Sequence, residues 1–330
     1  MKNKRILFVI AIGISALLYW YWYENIKIHK VKYSLAAGGA MEIQKFIIEH
    51  YQLDKKNRLD IEYLVENPGD SERSILEKRS EIGGMSPITA SKAASEGKNI
   101  RILHPIIHLV YYIAVRSDSP IQTLNDLKRK KFGVLQKNSA AYASFIIVMK
   151  DTQIDPENDL DLIFGTIPQV VNDLKLGHVD AAIVGYPLAA ELFSSGGFRP
   201  IAKLEDIWQE REKLSHPFVM AVAYEDWLNS RKNRKIAQRF ATVLAESAQL
   251  LKDNPEIITE ADNTSFQEYL NKNNLASEGA KQLLKTNMGQ LLYSTWNNED
   301  IRSAQRVIQK AKRFNLLPFT APEDIFFEND

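Results

Sequence analysis

The stretch EIGGMSPITASKAASEG, residues 81–97, combines glycines with a Ser-Pro pair in a way that suits ligand binding. Gly83 and Gly84 allow a tight turn, and Ser86 before Pro87 has the pattern of a helix N-cap followed by a first-turn proline. The first amides of such a helix have no partner within the helix and lie at the positive end of its dipole, so they can bind an anion or a carbonyl group. A single loop of this kind is more often a plain connection, and a site requires several of them.

Three further segments repeat the order of strand, small-residue turn and helix. They are VKYSLAAGGAMEIQKFIIEHY, KFGVLQKNSAAYASFIIVMK and VDAAIVGYPLAAELF, with turns at residues 36–40, 138–139 and 185–187. Strands that alternate with helices predict an α/β protein with largely parallel sheets, in which ligands bind at the carboxyl ends of the strands. The four turns are therefore the predicted place for a ligand. From about residue 229 the pattern changes to successive amphipathic helices, whose apolar stripes predict buried packing faces.

The composition suits a globular chain of about two domains. The 330 residues are 45% hydrophobic and 25% charged, and the net charge of +1 argues against a dedicated nucleic-acid binder. The chain has no cysteine, which excludes disulfides, thiolate metal sites, a cysteine nucleophile and the lipid-bearing cysteine of a lipoprotein.

The amino terminus has the pattern of a membrane segment. Lys2, Lys4 and Arg5 precede an uninterrupted apolar run, residues 6–23, which as a helix would span about 27 Å. The basic start predicts that the terminus stays in the cytoplasm and that the rest of the chain is exported. We expect residues 1–26 to form an uncleaved anchor, with a cleaved signal peptide as the alternative. Both place the body in the periplasm or at the outer face of the cytoplasmic membrane.

The usual sequence markers of catalysis are missing from the exported body. It contains no Gly-x-Ser-x-Gly elbow, no phosphate loop and no Gly-x-Gly-x-x-Gly fingerprint. Two imidazoles stand four residues apart in HPIIH, residues 104–108, but Pro105 and the strand pattern oppose a helical metal face. We therefore predict a protein that is not an enzyme, with no catalytic residue, no metal site and no cofactor.

Three ordered phrases carry a family resemblance across residues 75–201. They are ILEKRSEIGGMSPITASKAASEGKNIRIL, YYIAVRSDSPIQTLNDLKRKKFGV and VVNDLKLGHVDAAIVGYPLAAEL. The chain resembles the substrate-binding proteins of ABC importers for nitrate, alkanesulfonates, taurine and thiamine precursors. It departs from the family pattern at Arg129, where a glycine is usual.

The resemblance implies a two-lobed, Venus-flytrap fold of the periplasmic-binding-protein type II class. Lobe 1 is expected to combine residues 30–115 with residues 217–330, and lobe 2 to comprise residues 116–216. The two chain crossings would form a hinge that closes around a ligand. The implied partners are a small-molecule solute, an ABC permease with its ATPase, and the membrane through the amino-terminal helix, and a monomer is expected.

The family's binding loops correspond to specific residues of this chain. The implied ligand-binding residues are Ala37, Gly38, Gly39, Gly84, Met85, Ser86, Asn138, Ser139, Ala140, Tyr142, Gly185 and Tyr186. We also place His108 and His216 near the cleft. The alternatives are turn geometry for the glycines, a packed core for the tyrosines, and a solvated or core position for the histidines.

The ligand's identity is open at this point. LAAGGAM lacks the Trp-x-Pro phrase of thiamine-precursor binders, which disfavours a pyrimidine. Lys137 is the one unambiguous cation in the four loops, so a sulfonate-like anion would depend on backbone amides and hydroxyl groups. The predicted function is solute capture for an ABC importer, and the alternative is a membrane-anchored protein that uses the same fold to report ligand occupancy.

Overall fold

The computed structural model describes residues 13–15, 19, 27–259 and 264–327. The anchor predicted at residues 1–26 lies outside these ranges except at four positions, so it stays a prediction. Within the described ranges, no helix has both the length and the apolar character that a membrane crossing requires.

In these residues, ten strands form two five-stranded sheets. The strands are β1 (His29–Ala36), β2 (Leu59–Glu66), β3 (Ile82–Met85), β4 (Ile100–His108), β5 (Tyr111–Arg116), β6 (Lys131–Leu135), β7 (Asp161–Gly165), β8 (Ala181–Gly185), β9 (Phe198–Lys203) and β10 (Pro217–Tyr224). The first sheet has the order β2-β1-β3-β10-β4, and the second has the order β7-β6-β8-β5-β9. Each sheet contains one strand antiparallel to its neighbours, β10 in the first and β5 in the second.

Helices connect and cover the strands. They are α1 (Ala40–His50), α2 (Leu53–Lys56), α3 (Pro68–Leu76), α4 (Pro87–Ser95), α5 (Ala140–Asp151), α6 (Pro156–Asp159), α7 (Ile167–Leu176), α8 (Leu188–Ser194), α9 (Leu204–Glu212), α10 (Glu225–Leu228), α11 (Arg231–Asp253), α12 (Thr264–Lys272), α13 (Glu278–Leu291) and α14 (Asn298–Arg313). Short 3-10 turns lie at Leu124–Leu127 and Pro255–Ile258. The predicted α/β class is confirmed.

The apolar stripes of the carboxyl-terminal helices are buried, as their spacing predicts. In α11, Ile236, Phe240 and Val243 are buried on one face. In α14, Val307 and Ile308 are buried, and Asn297 caps the helix by accepting bonds from the amides of residues 299 and 300. These stripes hold the helices against the sheets, because removing an apolar face from water lowers the free energy of the folded chain.

The change from one sheet to the other occurs earlier than predicted. The expected boundary after Val115 is wrong, because all of β5 pairs with β8 and β9 of the second sheet. The chain leaves the first sheet after His108 and returns to it at Pro217. We therefore call residues 27–108 with residues 217–259 and 264–327 the first lobe, and residues 111–212 the second lobe. The two crossings are residues 109–110 and 213–216.

The carboxyl-terminal helices of the first lobe also contact the second lobe. The Lys310 ammonium of α14 lies 2.7 Å from Asp151 Oδ1 at the end of α5 and 2.6 Å from Glu212 Oε1 at the end of α9. Its side chain is only 6% exposed, so this ion-pair cluster is buried between the lobes. In α13, Gly279 lies directly against Ser194 of α8. The lobes therefore touch through side chains as well as through the crossings.

Candidate functional site

Each sheet contains a topological switch point. In the first sheet the chain runs from β1 outward to β2 and then back past β1 to β3. In the second sheet it runs in the same way from β6 to β7 and back to β8. Right-handed connections then place the helices that follow the two central strands on opposite faces, which opens a crevice between the loops. Ligands of open α/β sheets bind in such crevices.

The four loops predicted to bind a ligand lie at these two switch points. The loops after β1 and β3 flank the crevice of the first sheet, and the loops after β6 and β8 flank that of the second. The structure thus brings the predicted loops together in pairs. Their role in binding stays a prediction.

The two crevices converge on the crossings. Tyr111, the first residue of β5, pairs with Gly185 at the carboxyl end of β8. Pro217, the first residue of β10, pairs with His108 at the carboxyl end of β4. Both crossings therefore join the sheets at the edges where the switch-point loops lie. The rings of Tyr111 and Phe218 meet edge to face across the lobes, with centroids 5.3 Å apart.

The loop after β1 is closed by an acidic side chain. The Gly38 amide donates a 2.6 Å hydrogen bond to Oε2 of Glu42, which lies in the first turn of α1. The Tyr269 hydroxyl donates to the carbonyls of Gly38 and Gly39 at 3.2 and 3.4 Å. Gly38 has a φ of +74°, which favours glycine there, and Ala37 at the tip is exposed. A carboxylate therefore occupies one of the amides that an anionic ligand would use.

The loop after β3 forms the predicted helix cap. The Ser86 hydroxyl accepts from the Thr89 amide, and the Thr89 hydroxyl accepts from the Ser86 amide, both at 3.0 Å. A β-carbon on Gly84 would lie 2.8 Å from the Met41 methyl group, and Met85 beside it is 1% exposed. The glycine is therefore explained by the packing of Met41, which covers the backbone that was expected to approach a ligand.

The loop after β6 begins α5. Asn138 is exposed, Ala140 is half-buried, and the Ser139 hydroxyl accepts from the Tyr142 amide at 3.1 Å. Tyr142 is buried, and its hydroxyl donates to Glu157 Oε1 at 3.0 Å. Burial, followed by the contact with Glu157, raises the pKa of the Tyr142 phenol. Tyr142 therefore has a partner within its own lobe.

The loop after β8 contacts both lobes. A β-carbon on Gly185 would lie 2.8 Å from Cε1 of Tyr111, so the glycine makes room for that ring. Tyr186 is 6% exposed and precedes a cis peptide bond to Pro187. Its hydroxyl accepts from the Asn287 side-chain amide of α13 at 2.9 Å, and burial raises its pKa. Tyr186 thus connects the second lobe to the first.

The two candidate histidines lie at the crossings and not in the four loops. The His108 ring stacks on Tyr293 with centroids 3.7 Å apart, and its Nδ1 is 3.6 Å from Glu205 Oε1. His216 is 1% exposed, and its backbone amide donates to Glu205 Oε1 at 3.1 Å. Both His216 ring nitrogens lack a hydrogen-bond partner in the described part of the chain, and burial lowers its pKa to about 4. The structure makes these histidines part of the hinge.

Sequence reasoning missed the apolar floor between the lobes. It consists of Phe218 and Val219 at the start of β10, with the buried Met41 of α1 and the buried Tyr111 of β5 packed next to them. Phe218 and Val219 are half-buried. In the sequence, these positions are marked by an aromatic or β-branched residue just after each crossing. That mark can be recognised only when the positions of the crossings are known. Across the described ranges, no group of three His, Asp or Glu side chains is arranged to hold a metal ion.

The comparisons with known proteins point to one family. A family model described as the periplasmic substrate-binding protein of a phosphonate ABC transporter matches residues 52–269. The chain is similar to the periplasmic aliphatic sulphonate binding protein SsuA from Escherichia coli, with 17% identity, a TM-score of 0.69, and coverage of 91% of this chain and 94% of that chain. It is also similar to the alkanesulfonate-binding protein SsuA from Xanthomonas axonopodis pv. citri bound to MOPS, with 16% identity, a TM-score of 0.66, and coverage of 88% and 94%.

An enzyme shares the architecture. The desulfurization enzyme DSZB has 16% identity to the chain and a TM-score of 0.59, with coverage of 90% of this chain and 95% of that chain. At such identities, each of these likenesses shows the fold alone. No curated protein matches the chain.

Proposed function

We propose that this chain, which belongs to the family of periplasmic substrate-binding proteins of phosphonate ABC transporters, captures a small organic solute between its lobes for an importer. Family membership confirms the resemblance found in the sequence phrases. The family also implies a location outside the cytoplasmic membrane. The observation that carries the proposal is the pair of switch points whose loops converge on the two crossings.

The geometry supports binding accompanied by closure. Two short crossings join the lobes, and closure about a few residues of this kind is a recurrent motion of two-lobed binding proteins. The half-buried Phe218 and Val219 supply apolar surface beside the crossings, and the exposed Asn138 in the loop after β6 supplies a polar side chain. A concave, largely apolar site with a few polar groups suits a small organic molecule.

A thermal-shift screen of the full chain tests the proposal. The panel comprises alkanesulfonates, alkylphosphonates, amines, pyrimidines and small carboxylates. A solute that binds only the folded state raises the melting temperature as its concentration rises above the dissociation constant. We expect one class to give a saturable shift. A folded preparation without a saturable shift for any class would contradict the proposal.

A matched pair of variants locates the binding. Phe218→Ala removes a ring from the floor, and we expect it to weaken the solute that responds in the screen at least tenfold. Phe319→Ala, in which an 89% exposed ring is removed, serves as the control and should leave the affinity unchanged. Equal affinities for the two variants would contradict the cleft as the binding site.

Transport, sensing and catalysis predict different fates of the solute. For transport, we expect the liganded chain to stimulate the ATPase of its permease complex in proteoliposomes. For sensing, ligand would instead change the activity of a membrane sensor partner. An enzyme like DSZB would return a chemically altered solute, and we expect mass spectrometry to recover the solute unchanged.

A further inference from the structure

The edge of the first sheet that lies opposite the crevice is basic. β1, β2, β3 and β4 begin at this edge, and the antiparallel β10 ends there. We call the segments beside it the base, which comprises residues 27–32, 54–62, 77–81, 96–101 and 224–235. The base contains 14 Lys and Arg and 8 Asp and Glu, whereas the net charge of the whole chain is +1. Positive charge is therefore concentrated at this edge, and the rest of the chain is net negative.

Contacts between its segments hold the base together as one surface. Lys78, which precedes β3, pairs with Asp226 of α10 at 2.7 Å. The Arg234 guanidinium, near the start of α11, donates to the Leu228 carbonyl of α10 at 3.0 Å. The start of α11 therefore lies beside the segment that enters β3, and the cations of the two segments share one surface.

The base has more cations than its carboxylates can pair. Six of the carboxylates lie within ion-pair distance of a Lys or Arg of the base, namely Asp54, Asp60, Glu62, Glu77, Glu225 and Asp226. Glu81 accepts from the Lys32 amide, and Glu96 is exposed. Among the residues that the structure describes, no carboxylate pairs with five exposed cations of the base, Lys56, Arg58, Lys98, Arg231 and Lys232. Such a surplus attracts an anionic partner.

The amino-terminal sequence brings the base close to a bilayer. The apolar run of residues 6–23 ends four residues before Lys27, where the base begins. Four residues of fully extended chain reach at most about 14 Å. With the run in the membrane, as its sequence pattern predicts, the base lies close to the lipid headgroups. The chain is thus tethered at the same edge that carries the surplus of cations.

Anionic lipid headgroups match the charge of the base. Each Lys or Arg near an anionic lipid surface strengthens binding by about fivefold, and the attraction falls off within a Debye length. Because the tether makes docking of the base an intramolecular event, a modest attraction is sufficient. The crevice loops of the first lobe lie at the opposite edge of the sheet, so docking leaves them uncovered.

We propose that the base docks on anionic phospholipid headgroups at the outer face of the membrane and holds the first lobe with its crevice directed away from the lipid. The inference goes beyond the proposed function, since it concerns the edge opposite the cleft and a different partner. It joins two observations, the unpaired cations of the base and the entry of the predicted membrane segment at the same edge.

Fluorescence quenching in vesicles tests the inference with the full chain. Asn99→Cys in the base and Asn67→Cys beyond the carboxyl end of β2 are exposed positions, and each gives a unique site for a dye because the chain has no cysteine. Each labelled chain is reconstituted in phosphatidylcholine vesicles, with or without phosphatidylglycerol, that contain a lipid with a spin-labelled headgroup as quencher. We expect phosphatidylglycerol to increase quenching at residue 99 at least twofold and to leave residue 67 unchanged. Salt at about 1 M should abolish the increase.

Two double variants separate the base from general surface charge. Arg231→Gln with Lys232→Gln removes two unpaired cations of the base, and we expect the ratio of docked to undocked chain to fall at least tenfold, to about the level that two lost cations imply. Lys128→Gln with Lys130→Gln removes two exposed charges from the second lobe and should leave that ratio unchanged.

Three results would overturn the inference. The first is quenching at residue 99 that does not depend on phosphatidylglycerol, which would leave the base to a protein partner. The second is equal quenching at residues 99 and 67 in the anionic vesicles. The third is an equal effect of the two double variants, which would show that total charge and not the base governs the contact.

Discussion

At the scale of single residues, His216 makes the stability of the fold depend on pH. Its neutral ring is buried, and its pKa falls from 6.5 to about 4. The unfolded chain takes up a proton below about pH 6.5, whereas the folded chain does so only near pH 4. The neutral His216 ring therefore makes its full contribution to the free energy of unfolding above about pH 6.5, and this contribution is lost as the pH falls toward 4. A shift of this size corresponds to about 3 kcal/mol.

Replacing His216 should reduce this pH dependence. We expect His216→Asn to lose less free energy of unfolding than the unsubstituted chain when urea unfolding at pH 7.5 is compared with pH 4.5. His104, whose pKa burial also lowers to about 4, accounts for a remaining part of the decline. His50→Asn, at an exposed helix end, should behave like the unsubstituted chain. An undiminished pH dependence in His216→Asn would show that the ring is not held neutral.

Gly185 tests the contact at the last loop. Because a β-carbon there would lie 2.8 Å from the Tyr111 ring, Gly185→Ala should displace the ring and destabilise the fold by about 1–3 kcal/mol. Gly197→Ala, whose nearest neighbour would be Ser195 Oγ at 3.8 Å, is the matched control. Chemical unfolding measures both. If the two variants have the same free energy of unfolding, moving the Tyr111 ring does not destabilise the fold, and the prediction is wrong.

At the scale of elements, the strand-to-helix junctions can be predicted from the sequence, whereas the contacts between distant elements cannot. The cap at Ser86 and the turn at Gly38 are local features, so a few residues of sequence indicate them. The pairing of β5 depends on β8, about seventy residues away, and an apolar run such as YYIAVR has the same pattern in either sheet. The cover of Gly84 by Met41 likewise depends on how α1 packs, which no local pattern fixes.

Lys310 of α14 pairs with two acidic side chains of the second lobe, Asp151 and Glu212. Burial opposes ionisation of Glu212, but its bonds with Arg306 and Lys310 hold its pKa below its usual range. Lys310→Met would leave the Asp151 carboxylate, 12% exposed, without its cation. We expect a loss of about 3–5 kcal/mol in the free energy of unfolding, since an unpaired buried charge is costly.

An exposed lysine provides the comparison for this helix. Lys272→Met, at the exposed end of α12, should change the free energy of unfolding by less than about 0.5 kcal/mol. If Lys310→Met proved as stable as Lys272→Met, the buried cluster would not be what ties α14 to the second lobe.

At the scale of the whole molecule, both crossings meet at the edges where the four loops lie. The sequence phrases predicted the two-lobed arrangement through their resemblance to a family. They did not predict that His108 and His216 belong to the hinge. That placement follows from the pairing of His108 with Pro217 and from the contacts of both histidines with Glu205.

Closure of the lobes around a solute is the central claim, and a distance measurement tests it most directly. The chain has no cysteine, so Asn67→Cys and Ile167→Cys introduce two unique labelling sites. They lie just beyond the carboxyl ends of β2 and β7, on opposite lobes. Pulsed electron paramagnetic resonance then measures the distance between spin labels at these sites, without solute and with the solute that gives the largest melting shift. We predict a shorter distance at saturating solute, and a distance distribution that saturating solute leaves unchanged would contradict the account.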